Sequence, residues 1–567
     1  MQVIRKHAKL FLACGSLAIA PVLVFATHAV FAQEASGQVK RPISHLLFMT
    51  STHCVSCHSQ VVASDGEDIS IGYQWRASIM ANSARDPYWQ ASIRRETMDH
   101  PGAAAAIEDK CATCHMPMQR FQARAEGLRG EVLKYLTGIG DGSAMQEPDG
   151  ELENAKDVKA ALAADGVGCT LCHQIQPGNL GQPASLDGGF LIDTEKKPEE
   201  REVFGPYDDP DKGRKRIMHS STAFLPARGD HIKASELCAT CHTLLTEALD
   251  EDGKPAGTLP EQMPFQEWQH SAYSQTDSCQ SCHMARAPDR SPITSVHAEP
   301  HDGVMGHTFV GGNAFMLRIL KDHAAELGVI ATPQELEASA QRSEELLSQR
   351  SAAVSIGNGR LGGGRLAFDV RVVNKAGHKL PTGYPARRVW LHVTVRDGQG
   401  KTIFESGALK RDGSISGNDN DEDAGKFEPH HGRISDAGQV QVYESIMGDS
   451  KGRVTTGLVY GNHYLKDNRL LPRGFDKNSA DPQIAVVGAA RQDPGFAGGE
   501  DLVTYDVAAG GGPYSVMAEL LYESIGYRWA ENLRAYRARE PQRFVGYFQE
   551  QAHLAGKQLA RASEIIK

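Results

Sequence analysis

Ten of the eleven cysteines in this chain fall into five copies of one pattern, Cys-x-x-Cys-His: Cys54, Cys57 and His58; Cys111, Cys114 and His115; Cys169, Cys172 and His173; Cys238, Cys241 and His242; Cys279, Cys282 and His283. Each copy reads as a c-type haem attachment site. Two thiols at this spacing form thioethers to the two vinyl groups of one porphyrin, and the adjacent histidine is placed to bind the iron from its proximal side. A Cys-x-x-Cys pair alone also serves as a thioredoxin-like redox pair or as half of a zinc site. Neither use needs a histidine directly after the second cysteine, nor five recurrences in one chain. Only Cys14 is left over, so the cysteines supply no disulfide framework. The expectation is five covalently bound haem c groups, and the polypeptide must fold around five large apolar rings.

Residues 1–32 carry Arg5, Lys6 and Lys9, then an apolar run from Leu10 to Phe25, then small residues ending at Ala32. That is the pattern of a secretory signal peptide cleaved before Gln33, with retention of the run as an N-terminal membrane anchor as the alternative. Export agrees with covalent haem attachment, which takes place outside the cytoplasm, and the expected location is the periplasm or the outer surface. The remainder, roughly 535 residues, is enough for two or three domains. No later segment approaches the apolar length of a membrane span. With 70 acidic and 60 basic residues and a formal net charge of -10, nucleic acid is excluded as a partner. Redox partner proteins of neutral or basic character fit better, and oligomers remain compatible with the sequence.

All five motifs precede residue 284, and no cysteine follows. Residues 33–330 are therefore expected to form a pentahaem cytochrome c domain, mainly helical and irregular. At roughly sixty residues per haem, the haems themselves must form much of the core. Thr332-Pro333-Gln334-Glu335 has the capping-box pattern with proline at the first helical position, which predicts a linker helix over 331–350. The period then changes to two. Leu366, Phe368, Val370 and Val372 alternate with polar or small neighbours, as do Val389, Leu391, Val393 and Val395. Further strand-like runs at 402–405, 439–443, 454–460, 484–487, 502–507 and 514–522 predict an antiparallel β-sandwich over 351–525. Residues 526–567 read as C-terminal helices broken at Glu540-Pro541.

Each motif supplies one axial ligand, and the second decides the chemistry. Two strong protein ligands restrict an iron to electron transfer, whereas an open position permits reaction with a small molecule. Histidines outside the motifs in residues 33–330 are His45, His53, His100, His219, His231, His270, His297, His301, His307 and His323. Residues 50–310 resemble the multihaem cytochromes grouped with cytochrome c554 and cytochrome c-prime-like proteins, above all at Asp165-Gly-Val-Gly-Cys169 and Ser235-Glu-Leu-Cys238-Ala-Thr-Cys241-His242. That family often places a distal histidine in a Trp-x-x-Ser-x-His-Ala segment. Here Trp75-Arg-Ala-Ser78-Ile-Met80-Ala81 puts Met80 at the histidine position, which makes a thioether ligand the expectation and raises the iron's potential relative to two histidines. His307, opening His-Thr-Phe-Val-Gly-Gly-Asn313, is similar to a segment that carries a distal histidine in related proteins. His231 and His270 lie shortly before motifs, and His100 and His219 compete for the last place. The distal set is thus Met80, His100, His231, His270 and His307.

Two other constellations stand out. Asn418-Asp-Asn-Asp421-Glu-Asp423 resembles a calcium loop but lacks glycine at the sixth position and has His430 where a bidentate glutamate belongs, so a solvated acidic loop is expected. Gly377-His-Lys-Leu-Pro-Thr-Gly383-Tyr-Pro-Ala-Arg387-Arg388, between two strands, reads as a shaped loop whose basic residues face haem propionates or solvent. Three functions fit the whole. The leading one is an exported electron-transfer relay in a respiratory or extracellular redox chain. The others are a multihaem oxidoreductase of a small nitrogen or sulfur compound at one open haem, and a structural cytochrome scaffolding a surface redox complex. If Met80 binds iron, the ferric protein shows a sulfur-to-iron band in the near infrared that disappears in Met80→Ala; a parent protein without that band rejects the ligand.

Overall fold

In the computed structural model, residues 45–140, 155–208 and 210–567 are described. The signal-peptide reading for 1–32 and Cys14 lie outside them. The first half is a succession of short helices, among them α1 (Thr52–Val55), α2 (Pro87–Asp99), α3 (Ala104–His115), α4 (Cys169–Cys172), α5 (Ser235–Ala239), α6 (Pro264–Gln269), α7 (Cys279–His283) and α8 (Ala314–Asp322). The hairpin β1 (Leu244–Leu249) and β2 (Pro255–Gln262) is among the short strand pairs that interrupt them. Proline repeatedly opens these helices, where its missing N–H costs nothing. At α2, Pro87 follows Asp86, whose carboxylate accepts the Tyr88 and Trp89 N–H groups at 2.8 and 3.1 Å.

The linker helix α9 (Pro333–Arg350) begins with the reciprocal capping box: Glu335 N–H donates to Thr332 Oγ1, and Thr332 N–H to the Glu335 carboxylate. Its buried Leu336, Ala340, Ser343 and Leu347 recur at helical spacing along one face. Then come β3 (Ala352–Gly362), β4 (Arg365–Asn374), β5 (Arg388–Arg396), β6 (Thr402–Ser406), α10 (Asp419–Glu422), β7 (Arg433–Ile434), β8 (Val442–Tyr443), β9 (His463–Asp467), β10 (Glu500–Ala508), β11 (Tyr514–Glu523), α11 (Tyr527–Leu533), α12 (Arg539–Gln551) and β12 (Lys557–Ile566). One sheet has the order β7-β10-β4-β3, and a second has β6-β5-β11-β12 with β8 also on β5. All these pairings are antiparallel except β7 with β10. The alternating residues of β4 and β5 join Val503, Tyr505, Val516 and Leu520 in one buried cluster between the sheets, with Phe368 stacked on Tyr505.

The two halves of the chain share a core. Tyr88 and Ala91 of α2 and Phe315 and Ile319 of α8 pack with Trp529, Leu533, Phe544 and Phe548 of α11 and α12, and Arg94 pairs with Glu540 at 2.9 Å.

Several local expectations need correcting. Residues 557–566 form a strand pairing along most of β11, not a helix. Their Lys, Gln, Ala, Arg and Glu favour helix, but an unpaired sheet edge overrides so weak a preference. Pro541 lies in the first turn of α12 and does not break it, because first-turn N–H groups have no intrahelical acceptor. The strands expected at 439–443 and 454–460 shrink to two residues each, and 482–484 is a 3₁₀ turn.

The acidic run at 418–423 is not simply solvated either. Asn420 and Asp421 are buried in α10, and Asp421 accepts from Arg388 Nη1 at 2.7 Å while Glu523 accepts from Arg388 Nε at 2.8 Å. His430 belongs to a separate buried group with Asp493 and Asp501. The Gln441 and Asn468 amides both donate to its Nδ1, at 2.8 and 3.1 Å. That fixes the ring proton on Nε2, which faces Asp493 at 3.1 Å. The group therefore shares protons and is not arranged as a cation site. Arg388→Met leaves two buried carboxylates without their cation and is expected to cost about 3–5 kcal/mol in denaturant unfolding, while Arg371→Ala, on a half-exposed pair with Glu500, changes stability by about 1 kcal/mol or less.

Candidate haem-binding sites

Each Cys-x-x-Cys-His motif is a single helical turn. In the first, third and fourth, the histidine N–H donates to the carbonyl of the first cysteine, at 2.9, 3.1 and 3.0 Å for His58, His173 and His242. The second and fifth end α3 and α7. One turn of helix brings residues i, i+3 and i+4 to one face, so two sulfurs and an imidazole are presented together. That is the donor set a covalently attached haem requires.

Orientation of the imidazoles comes from backbone carbonyls of distant segments. Nδ1 of His58 lies 2.7 Å from Ile293 O, that of His115 3.1 Å from Ser83 O, that of His173 2.6 Å from Phe204 O and that of His283 2.6 Å from Val310 O. A carbonyl only accepts, so Nδ1 carries the proton and Nε2 keeps its lone pair, the tautomer of a metal ligand with its supporting shell in place. Burial keeps these rings neutral, pushing His115 and His242 down to about 4. The Trp89 indole lies flat on His115, with ring centroids 4.4 Å apart and planes 4° from parallel, which fixes that ring's rotation.

Two histidine pairs stand in a special relation. His173 and His307 have ring centroids 6.2 Å apart and planes 14° from parallel; His283 and His378 are 6.2 Å apart at 10°. Those separations are too long for ring contact. Bonds of about 2 Å from each nitrogen to a shared metal, plus the ring radii, place two such centroids roughly 6 Å apart. In all four rings Nδ1 is held by a carbonyl, that of Met305 for His307 (3.2 Å) and that of Lys379 for His378 (2.8 Å), so Nε2 is the free nitrogen. Burial drives His307 down to about 3 and lowers His378 as well.

His307 was among the sequence candidates; His378 was not. It comes from the loop between β4 and β5, whose Gly377 passes beside Trp268 and Tyr273. The sequence signal is a histidine in a Gly- and Pro-rich loop, one that reads as a shaped loop whose basic residues face propionates or solvent. The remaining candidates are placed differently. His270 is partly exposed, with Nδ1 2.8 Å from Gln266 O and Nε2 3.8 Å from Asp481; it is His378 that stands opposite His283. His231 spends Nε2 on the Ile175 carbonyl at 2.9 Å, and His219 spends its own on Glu199 O. His100 is buried with Nε2 free of hydrogen bonds, as is Nε2 of His45. Met80 lies in the turn before α2, where its carbonyl accepts the Val167 N–H, three residues from the Ser83 that holds His115.

The motifs are also paired with one another. Ser51, three residues before Cys54, accepts the Cys169 N–H at 3.0 Å, and Ser235, three residues before Cys238, accepts the Cys279 N–H at 3.1 Å. The same construction thus joins the first motif to the third and the fourth to the fifth. In each pair the sulfurs interact, Cys54 with Cys169 and Cys238 with Cys279, and Cys114 likewise meets Cys241. Cys172 neighbours both Cys238 and Cys241. The resulting order is first, third, fourth, with the second and fifth both adjoining the fourth. Asp165 reinforces the first link by accepting the Ser51 N–H and hydroxyl. Glycine is required at 166, where φ is +61° and a Cβ would lie within 2.9 Å of Met80 O, Ala81 O and Ser83 Oγ. The two segments that carry the family resemblance, at Asp165 and Ser235, are therefore the joints between motifs.

No protein-family description matches the sequence, and no curated protein matches it. Among solved structures, a penta-heme cytochrome c552 from Thermochromatium tepidum superimposes with a TM-score of 0.51, covering 92% of this chain and 99% of that one at 15% identity. The fold of this chain is that of a multihaem c-type cytochrome.

Proposed function

We propose that this protein is an exported pentahaem c-type cytochrome that relays electrons in a respiratory or extracellular redox chain, with the periplasm or the outer surface as its location. The observation that carries the reading is the pair of histidine couples, His173 with His307 and His283 with His378, each at 6.2 Å and each containing one motif histidine. Two imidazoles on one iron leave no position for substrate, so the third and fifth haems serve as electron carriers. A fold shared with a penta-heme cytochrome supports the count of five. For the irons on His58, His115 and His242, the second ligands proposed are drawn from Met80, His100 and His45.

The motif order gives the relay its path. Electrons entering at the first haem pass through the third to the fourth and leave by the second or the fifth. The protein's part is ligation, burial and spacing, while the redox change belongs to the cofactor. Entry and exit need redox partner proteins. No helix among the described residues is long and apolar enough to cross a membrane.

Holoprotein is expected to contain five haems per chain by haem assay against protein mass. His307→Ala and His378→Ala should each convert one low-spin ferric haem to a high-spin form that binds added imidazole. A holoprotein with fewer haems, or either variant remaining fully low-spin, contradicts the assignment. A high-spin, cyanide-binding haem in the parent protein moves the function toward small-molecule chemistry.

A further inference from the structure

We infer that a buried four-membered ion network formed by Glu267, Arg469, Asp467 and Lys379 is the positioning device that holds His378 opposite His283. The inference rests on the ligation proposed above. It concerns residues well removed from the motifs in sequence.

The network begins immediately beside the ligand. His378 and Lys379 are consecutive, and their side chains are engaged in different places: the His378 ring faces His283, while the Lys379 ammonium donates to Asp467 Oδ2 at 2.8 Å and is fully buried. Arg469 donates Nε and Nη2 to the two oxygens of the same carboxylate, at 2.9 and 2.7 Å. Its Nη1 lies 3.0 Å from Glu267 Oε1. Glu267 Oε2 closes the circuit, accepting the Lys379 N–H at 3.2 Å and the Thr382 hydroxyl. Two cations and two anions balance, and none of the four side chains is more than 7% exposed.

The members come from three segments. Glu267 belongs to α6, which precedes the fifth motif; Lys379 and Thr382 belong to the ligand loop; Asp467 and Arg469 end β9 and follow it. The loop also has ordinary sheet-like support, since Leu380 and Leu470 exchange both backbone hydrogen bonds at 2.9 and 3.0 Å and Asn374 Nδ2 donates to His378 O. Those contacts tie the loop to its own β half. Glu267 is the member that ties it to the half carrying His283. A buried charge that loses its partner is driven toward another partner or toward water, and Lys379 cannot move without carrying the His378 carbonyl and ring with it. Lys379 O, moreover, is the acceptor that orients the His378 ring. An apolar anchor would fill the same space without fixing direction. Charge-assisted bonds at both ends of the Lys379 backbone and side chain do fix it.

The test uses haem-loaded protein. In Glu267→Gln, one haem in five is expected to become high-spin in the ferric state and to return to low-spin on addition of imidazole, with a shift in one of the midpoint potentials and the His173 and His307 haem unchanged. Because this variant strands a buried arginine and can fail to fold, Glu267→Gln with Arg469→Gln, which removes one charge of each sign, is measured beside it and should show the same single-haem signature. If both loaded variants, or the double variant when the single one does not load, stay fully low-spin while His378→Ala turns high-spin, the network is structural only and the inference is overturned. If His378→Ala itself stays low-spin, the ligation on which the inference rests fails first.

Discussion

The hydrogen bond from an imidazole Nδ1–H to a backbone carbonyl is the interaction on which the arrangement of this protein depends. It fixes the tautomer and aims Nε2, and at His58, His115, His173 and His283 it also ties the motif to a segment remote from it in sequence. His58 is held by Ile293 and His283 by Val310, so the first motif leans on the end of the haem-bearing half and the fifth on the segment just after His307. A polypeptide made of helices only one to four turns long has little regular structure with which to orient five rings. For four of the five, carbonyls of irregular backbone do it instead, in keeping with the richness of this half in glycine and proline.

A haem iron takes ligands from both faces, and this turns ligation into tertiary structure. In the proposed ligation, His173 and His307 close the haem-bearing half on itself. By the same proposal His283 and His378 join it to the β-sheets, alongside the aromatic core shared by α2, α8, α11 and α12. The second half of the chain is thus, in the proposed relay, a contributor to an electron-carrying site and not an attached module. The joints between motifs have their own chemistry: Ser51 and Ser235, in equivalent positions, each accept the backbone N–H of the first cysteine of another motif. Two instances of the same joint bring neighbouring thioether positions side by side, the condition for short edge-to-edge electron transfer.

What was legible in the sequence follows from the range of the interactions involved. The five motifs and their histidines are local, since two thioethers and an axial bond to one porphyrin confine all three residues to one helical turn. The capping box at Thr332 and the alternating strands at 366–372, 389–395, 502–507 and 514–522 are local too, and the structure has them there. The distal side is not local. His378 carries no mark in its own segment that relates it to His283, and His270, though near the fifth motif in sequence, turns toward Gln266 and Asp481. The strand at 557–566 was hidden for a similar reason: its residues favour helix, and only the open edge of β11 makes it a strand. The run at 418–423 reads as a solvated acidic loop because sequence shows the charge of Asp421 but not the buried Arg388 that uses it.

The central claim is that single irons lie between His173 and His307 and between His283 and His378. Anomalous diffraction from crystals of the haem-loaded protein at the iron absorption edge locates those atoms directly. The account predicts five iron peaks, two of them midway between the Nε2 atoms of these pairs, and a peak beside His242 that neighbours the peaks of the second, third and fifth motifs. Iron bound to His173 or His283 with His307 or His378 turned away from it would contradict the account.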